Sequence, residues 1–445
     1  MTLSPTVKPT PNPYIVLDRK LASVQNRLFQ AAHSQPLELK HLGIALNHQG
    51  IKGDRLYAHP DMMPLPLRRC SYLQSLSRRQ LAILSACLFA NFYKLVANSE
   101  CQTLISNMTA AQKYFLPFSD DYMILHQETS EEMDHIWTFR TIHSMICRET
   151  GAKDTFECPG FFRGEAAFFD LDDWEAINDS ARLPGDYQHV LSLLREKDGL
   201  TRLLAEMKAK GRAWRFRVLN FLIGEASSFL SAQQVQDLGL GGLWLLVRYI
   251  SNVDLKQVES YLLESPEDVD YEPLAYQINQ GHLHDEARHY TTSFDIGLAM
   301  YRSAEPSAQA FIRELIRLTM EDYIAGTFLH FPEMLELSNR GRVCLTISLG
   351  QNSLAMALNH PEFSDRQVDI DQLYREWAAM EWGKVLPPVG PGLLAQKRWR
   401  YIALQFERLR SEMQFEFDSE HLGNLLQRYE GILALESLNE PFVLS

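Results

Sequence analysis

"GHLHDEARHY", residues 281–290, places three histidines, an aspartate, a glutamate and an arginine within ten positions. On a helix, positions 282, 286 and 289 are four and then three residues apart, so His282, Glu286 and His289 share one face. Three side chains able to hold a metal ion then point the same way. The flanks support the helix, because apolar residues recur at helical spacing from about 272 to 303.

The same texture fills most of the chain. "SRRQLAILSACLFANFYKLVANSECQTLI" (77–105) opens with Ser77 three residues before Gln80, a capping-box arrangement, and then runs apolar at helical spacing. Further helical patterns lie at about 110–150, 200–235, 242–263, 307–329 and 395–436. Clusters such as "FLPFSDDY" (115–122), "HPEF" (360–363) and "LPPVGPGLL" (386–394) mark the breaks. Alternating β-type runs are few and short, "GRVCLTISLG" (341–350) being the best. The fold expected is all-α.

Composition sets the class. The 445 residues are 46% hydrophobic, ample for a packed core. A formal charge of −13 argues against a nucleic-acid partner, which calls for a basic footprint. The six cysteines, at 70, 87, 101, 147, 158 and 344, contain no Cys-x-x-Cys pair and read as reduced thiols. No apolar run reads as a membrane span and "MTLSPTVKPTPNPYIV" lacks a secretory pattern, so the expectation is a cytoplasmic protein.

The chemistry is carried by a repeated Glu-x-x-His. It occurs as Glu38/His41, Glu132/His135 and Glu286/His289, whereas 32 glutamates and 14 histidines predict about one such pair by chance. Glu38 and His41 follow Pro36 in a short polar segment and read as the chance copy. The other two sit in long helices, each with a second acid directly before its glutamate, Glu131 and Asp285.

A di-iron site in a helical bundle takes one Glu from each of two helices and a Glu-x-x-His from each of two others. Carboxylates bridge two irons and adjust as oxidation state changes, while imidazole supplies a firm nitrogen donor. Glu100 is the only acid from Leu81 to Ser119 and suits the first lone position. Glu225, alone in "FRVLNFLIGEASSFL", suits the second, with Glu259 in "KQVESYLLES" as its rival. The order is that of a ferritin-like four-helix bundle with additional peripheral helices. Glu131 and Asp285 are placed to accept the outward ring N–H of the histidine on the opposite motif helix, with Arg288 neutralising one of them. Phe92, Tyr93, Trp137, Phe139, Phe221 and Phe229 are candidate pocket walls on these helices.

The domain reading follows: an N-terminal extension over 1–75, the bundle over 76–330 with an insertion at about 150–200, and C-terminal helices over 331–445. The last segment includes "REWAAMEWGKVLPP" (375–388), which suits an interface or a lid, and a homodimer contact is allowed for.

The eight-residue wording "HLHDEARH" resembles the AurF-type, p-aminobenzoate N-oxygenase-like, non-haem di-iron N-oxygenases, whose final motif is His-x-x-x-Glu-x-x-His. The resemblance extends over about 75–305. Carried over residue by residue, it implies iron ligands at Glu100, Glu132, His135, Glu225, His282, Glu286 and His289. It further implies two Fe, O2 and an external electron donor, and oxidation of a primary amine to hydroxylamine, nitroso or nitro in secondary-metabolite biosynthesis. The amine would be free or tethered to an acyl or peptidyl carrier protein, with the basic stretches 208–217 and 396–410 as docking faces. Two other readings stand beside it: a di-iron hydroxylase or desaturase acting at carbon, and a metal-free α-helical interaction protein.

Overall fold

The structure is a computed structural model that describes residues 39–58, 71–154, 185–210, 212–223, 226–263, 269–328, 345–380 and 392–433. Helices are α1 (Leu39–Gln49), α2 (Arg78–Tyr114), α3 (Asp120–Thr150), α4 (Gly185–Leu194), α5 (Gly199–Ala209), α6 (Arg212–Ile223) and α7 (Ala232–Asp237). They continue as α8 (Leu240–Leu263), α9 (Pro273–Ser303), α10 (Pro306–Phe328), α11 (Leu345–Ala357), α12 (Ile370–Ala379), α13 (Gly392–Met413) and α14 (Asn424–Leu433). Among the described residues there is no strand; extended pairing is limited to an isolated bridge between Leu56 and Tyr271.

Local signals set the ends of the long helices. Ser77 and Gln80 form the reciprocal capping box at the start of α2, satisfying two amide donors that the first turn leaves open. Ser119 caps α3, and Gly151 ends it in the left-handed region at φ 74°, a conformation that costs glycine little. Pro273 opens α9 at its first turn, where no amide hydrogen is needed, and Glu272 caps it.

Helix α2 runs along α3, and α8 runs along α9; the pairs meet where α2 touches α8 and α3 touches α9. Around these four, α1 packs on α3 and α9, α11 on α2, and α13 on α8. Two apolar cores result. One gathers Phe89, Tyr93, Phe139, Ile142 and Ile278 with residues of α1, α11 and α12; the other gathers Tyr114, Leu125, Leu246, Tyr290 and Phe294 with residues of α4–α7, α10, α13 and α14. Each of α2, α3 and α9 supplies apolar residues to one core at one end and to the other at its far end. Between them the same helices, with α8, carry buried polar side chains at 100–107, 128–135, 248–259 and 279–289.

Several expectations change. Over 200–235 the described residues form α5, α6, a 3-10 turn at Ala226–Phe229 and α7. The described part of "GRVCLTISLG", from Leu345 on, is helical and starts α11, since a short apolar run does not separate strand from buried helix. Helix α2 does contain a window apolar enough to cross a membrane, with mean hydropathy 1.5, and 78% of that window is buried inside the protein. The inserted stretch at about 150–200 is described only at its two ends, and the whole of "EWGKVLPP" (381–388), Trp382 included, lies outside the described residues.

Candidate metal centre

In the polar belt the two Glu-x-x-His pairs face one another. Helix α3 presents Glu132 and His135, and α9 presents His282, Glu286 and His289; all five are at most 2% exposed. From α2 comes Glu100, 5% exposed. Donor atoms form two groups sharing Glu286: Glu100, His135, His282 and Glu286, and Glu132, Glu286 and His289. Within each group they lie within 4.8 Å of one another.

Each histidine uses its two nitrogens differently. His135 turns Nδ1 to Glu100 (3.3 Å) and Glu132 (3.4 Å), and Nε2 to Asp285 at 3.1 Å on the opposite helix. His289 turns Nδ1 to Glu286 (3.0 Å) and Glu132 (3.1 Å), and Nε2 to Glu131 at 2.8 Å. His282 places Nε2 on Glu100 at 2.9 Å and Nδ1 on Glu259. Arg288 ties the two outer acids together, donating to Glu131 at 3.1 Å and to Asp285 at 2.5 Å.

Electrostatics follow from this packing. Burial alone would strip all three histidines of their protons, yet the surrounding carboxylates win. His282 is pushed up to about 10, chiefly by Glu259, and His135 and His289 stand well above the usual imidazole value. Burial opposes ionisation of Glu132, but His289 and Arg248 hold it well below the usual carboxylate range. Glu131 is lowered to about 2 against its burial by His289 and Arg288. Burial raises Glu259, partly offset by His282.

The donor set fits a pair of metal ions. Glu100 Oε2, Glu132 Oε2, Glu259 Oε2 and His135 Nδ1 are buried with no hydrogen-bond partner, a costly arrangement that a bound cation would relieve. Carboxylate oxygens and imidazole nitrogens suit iron or manganese.

Helix α8 carries Glu259, the alternative to Glu225 for the second lone glutamate. Glu225 lies outside the described residues; the glutamate that meets His282 is Glu259, fully buried, which also accepts from Tyr93 Oη at 3.0 Å. Two residues that sequence reasoning passed over stand two and three turns earlier. Asn252 donates from Nδ2 to Glu286 at 2.6 Å, and Arg248 donates to Glu132 and, at 2.7 Å, to Glu128. Both are buried. A signal existed for Arg248, the only charged residue from Leu240 to Val253, where a lone charge on an apolar helix needs a partner.

The aromatic candidates separate. Phe139 and Tyr93 lie beside the site, with ring centroids 5.0 and 5.7 Å from that of His282. Phe92 packs edge-on against Tyr93. Trp137 is 38% exposed with Lys40 over its ring, Phe221 stacks on Tyr187, and Phe229 packs on the second apolar core. These three are surface and core residues. His284 is exposed, and so is His41 on α1.

A third donor group, His143, Cys147 and Asp154, lies at the end of α3. Its sulfur sits 3.7 and 3.9 Å from the two ring nitrogens, beside the imidazole rather than along one lone pair, which is a packing contact. In the basic stretches, Lys208 pairs with Glu314, Lys210 with Glu206, and Arg410 with Glu407 and Glu416.

No curated protein and no solved structure matches the chain. A family profile does: that of the acyl halogenase CylC-like family covers residues 71–325, a span holding every residue of the two shared donor groups. More than half of the sequence falls inside that match, and the chain therefore belongs to the CylC-like acyl halogenase family, helical enzymes of the di-iron type.

Proposed function

We propose that the protein is an O2-dependent di-iron enzyme that exchanges a C–H bond of an acyl chain for a carbon–halogen bond. One observation carries this reading: the stretch matched by an acyl halogenase family is the stretch that brings three histidines and the carboxylates together in a buried belt. Iron ions held by Glu100, His135, His282, Glu286, Glu132 and His289 would supply the reduction of O2 and the oxidising power. Overall, R–H, halide, O2, two electrons and three protons give R–X and two waters, so an external donor of two electrons is required.

The chain's own part is positional. Asp285, Glu131 and Glu259 each occupy the outer nitrogen of one histidine, which fixes the inner nitrogen as the metal-facing one and raises its basicity. Arg288 keeps Glu131 and Asp285 in place. Burial of the belt between two apolar cores excludes bulk water from the reaction, and Phe139 and Tyr93 offer apolar surface beside His282 for an alkyl chain. The acyl group arrives free or on a carrier protein.

A second reading, N-oxygenation of a primary amine, is favoured by the spacing His282-x-x-x-Glu286-x-x-His289. One assay separates the two: full-length protein with Fe(II), reductant, O2 and chloride is offered acyl thioesters, acyl-carrier conjugates and aryl amines, with products read by mass spectrometry. Halogen at an acyl carbon is the expected result. Oxygen on nitrogen alone overturns the first reading in favour of the second, and absence of a bound metal pair removes both.

A further inference from the structure

We propose that Asn252 is a positioning residue that reserves one oxygen of Glu286 for the protein, so that both metal ions bind the other; the inference rests on the di-iron reading above. Glu286 is the carboxylate common to the two donor groups. Its Oε1 lies 3.0 Å from His289 Nδ1, 3.8 Å from His282 Nε2 and 3.9 Å from His135 Nδ1, so a single atom faces all three histidines. Its Oε2 accepts from Asn252 Nδ2 at 2.6 Å.

The other carboxylates of the two groups are held less completely. Glu100 and Glu132 each keep a buried Oε2 without a hydrogen-bond partner, whereas both oxygens of Glu286 are engaged, Oε1 by His289 and Oε2 by Asn252. Asn252 is 8% exposed and Glu286 2% exposed. A short bond from an amide to a carboxylate is strong in such a place, and losing it would orphan a buried oxygen. The amide is also held on its helix. Positions 248, 252 and 259 are four and seven apart and lie on one face of α8. On either side of Asn252, Arg248 is tied to Glu132 and Glu259 to His282 and Tyr93.

Orientation is achieved without spending charge. An amide is neutral, so Glu286 keeps its full negative charge for the metals, and the charge of Arg248 is met by Glu128 at 2.7 Å. The consequence is a count of coordination positions. A carboxylate that turns both oxygens inward fills one position more than a carboxylate that shares a single oxygen between two ions. Asn252 therefore keeps a position open at the centre, which a metal that must take up O2 requires.

The test uses full-length protein loaded anaerobically with Co(II). Elemental analysis gives metals per chain, visible absorption per cobalt reports coordination geometry, and cobalt-edge X-ray absorption gives the mean number of ligand atoms. Asn252→Leu keeps the side-chain size and removes the N–H donor; Asn252→Ala repeats the comparison with no added bulk where the leucine impairs folding. Two cobalt ions per chain are expected in the unaltered protein and in both variants. In the variants Oε2 is released to a metal, so the ligand number should rise and the absorption per cobalt should fall. Two cobalt ions with unchanged spectra in the variants overturns the role of Asn252 while leaving the di-metal reading intact. Loss of a metal in the folded variants also overturns it, because the amide would then support the site as a whole and not reserve one oxygen. Fewer than two metals in the unaltered protein overturns both readings.

Discussion

Asp285 and Glu131 come directly before Glu286 and Glu132 in sequence, yet each serves the histidine of the facing helix: Asp285 holds His135 and Glu131 holds His289. Crossing the partners in this way locks the two motif helices in register, because a slide of either helix would break both bonds. Asp285→Asn keeps the shape but removes the charge that raises imidazole basicity. Its expected cost is about 10–100-fold in metal affinity, with the fold retained, and competition with a calibrated chelator measures it. Equal affinity in Asp285→Asn and the unaltered protein would mean that the acid serves only local packing. These acids were legible because a repeated acid-Glu-x-x-His wording stands out against chance. Asn252 was not, since an asparagine one turn beyond an arginine carries no compositional signal. Its partner is set by how α8 lies on α9, which is information held in the packing.

At the scale of elements, the site depends on how closely α8 approaches α9. Gly242 permits that approach: a Cβ at this position would lie 2.9 Å from the Tyr301 backbone nitrogen and 3.2 Å from the Gly297 carbonyl oxygen, and backbone atoms cannot swing aside. Gly242→Ala is therefore expected to push the helices apart at this end and to destabilise by about 1–3 kcal/mol, read as a lowered midpoint in urea with little change in slope. The long helices were readable from apolar periodicity, and the start of α2 from Ser77, because capping chemistry is local. The breakup of 200–235 into α5, α6 and α7 was not, since Lys210, Gly211 and Gly224 only weaken a helix. Only tertiary packing decides whether it stops. The same limit explains why "GRVCLTISLG" gave no reliable period: its β-branched residues suit a strand in isolation, and from Leu345 they form α11 against α2.

Across the whole molecule, two apolar cores grip the ends of the site helices and leave a belt of charge between them, so the stability of the protein is tied to the ionisation of that belt. In the metal-free protein the folded-state pKa of His282 is about 10, and those of His135 and His289 are also raised, above an unfolded value of about 6.5. A raised folded pKa contributes stability that is fully present below the unfolded value and is lost as pH climbs through the folded one. Stability of the metal-free protein should therefore fall steadily from about pH 7 to about pH 10. At the acid end the signs reverse: Glu131, lowered to about 2, and Asp285, lowered further, contribute above their unfolded values and lose that contribution as pH falls toward 2. Metal binding demands neutral imidazole, so loading the protein near pH 7 should release protons, and the alkaline decline should flatten in the loaded form. Paired urea titrations of metal-free and Fe(II)-loaded protein across this range, with proton release followed in weakly buffered solution, measure both effects. Parallel curves and no released protons would show that the histidines are not what the metal displaces, and the belt would then be a structural ion network.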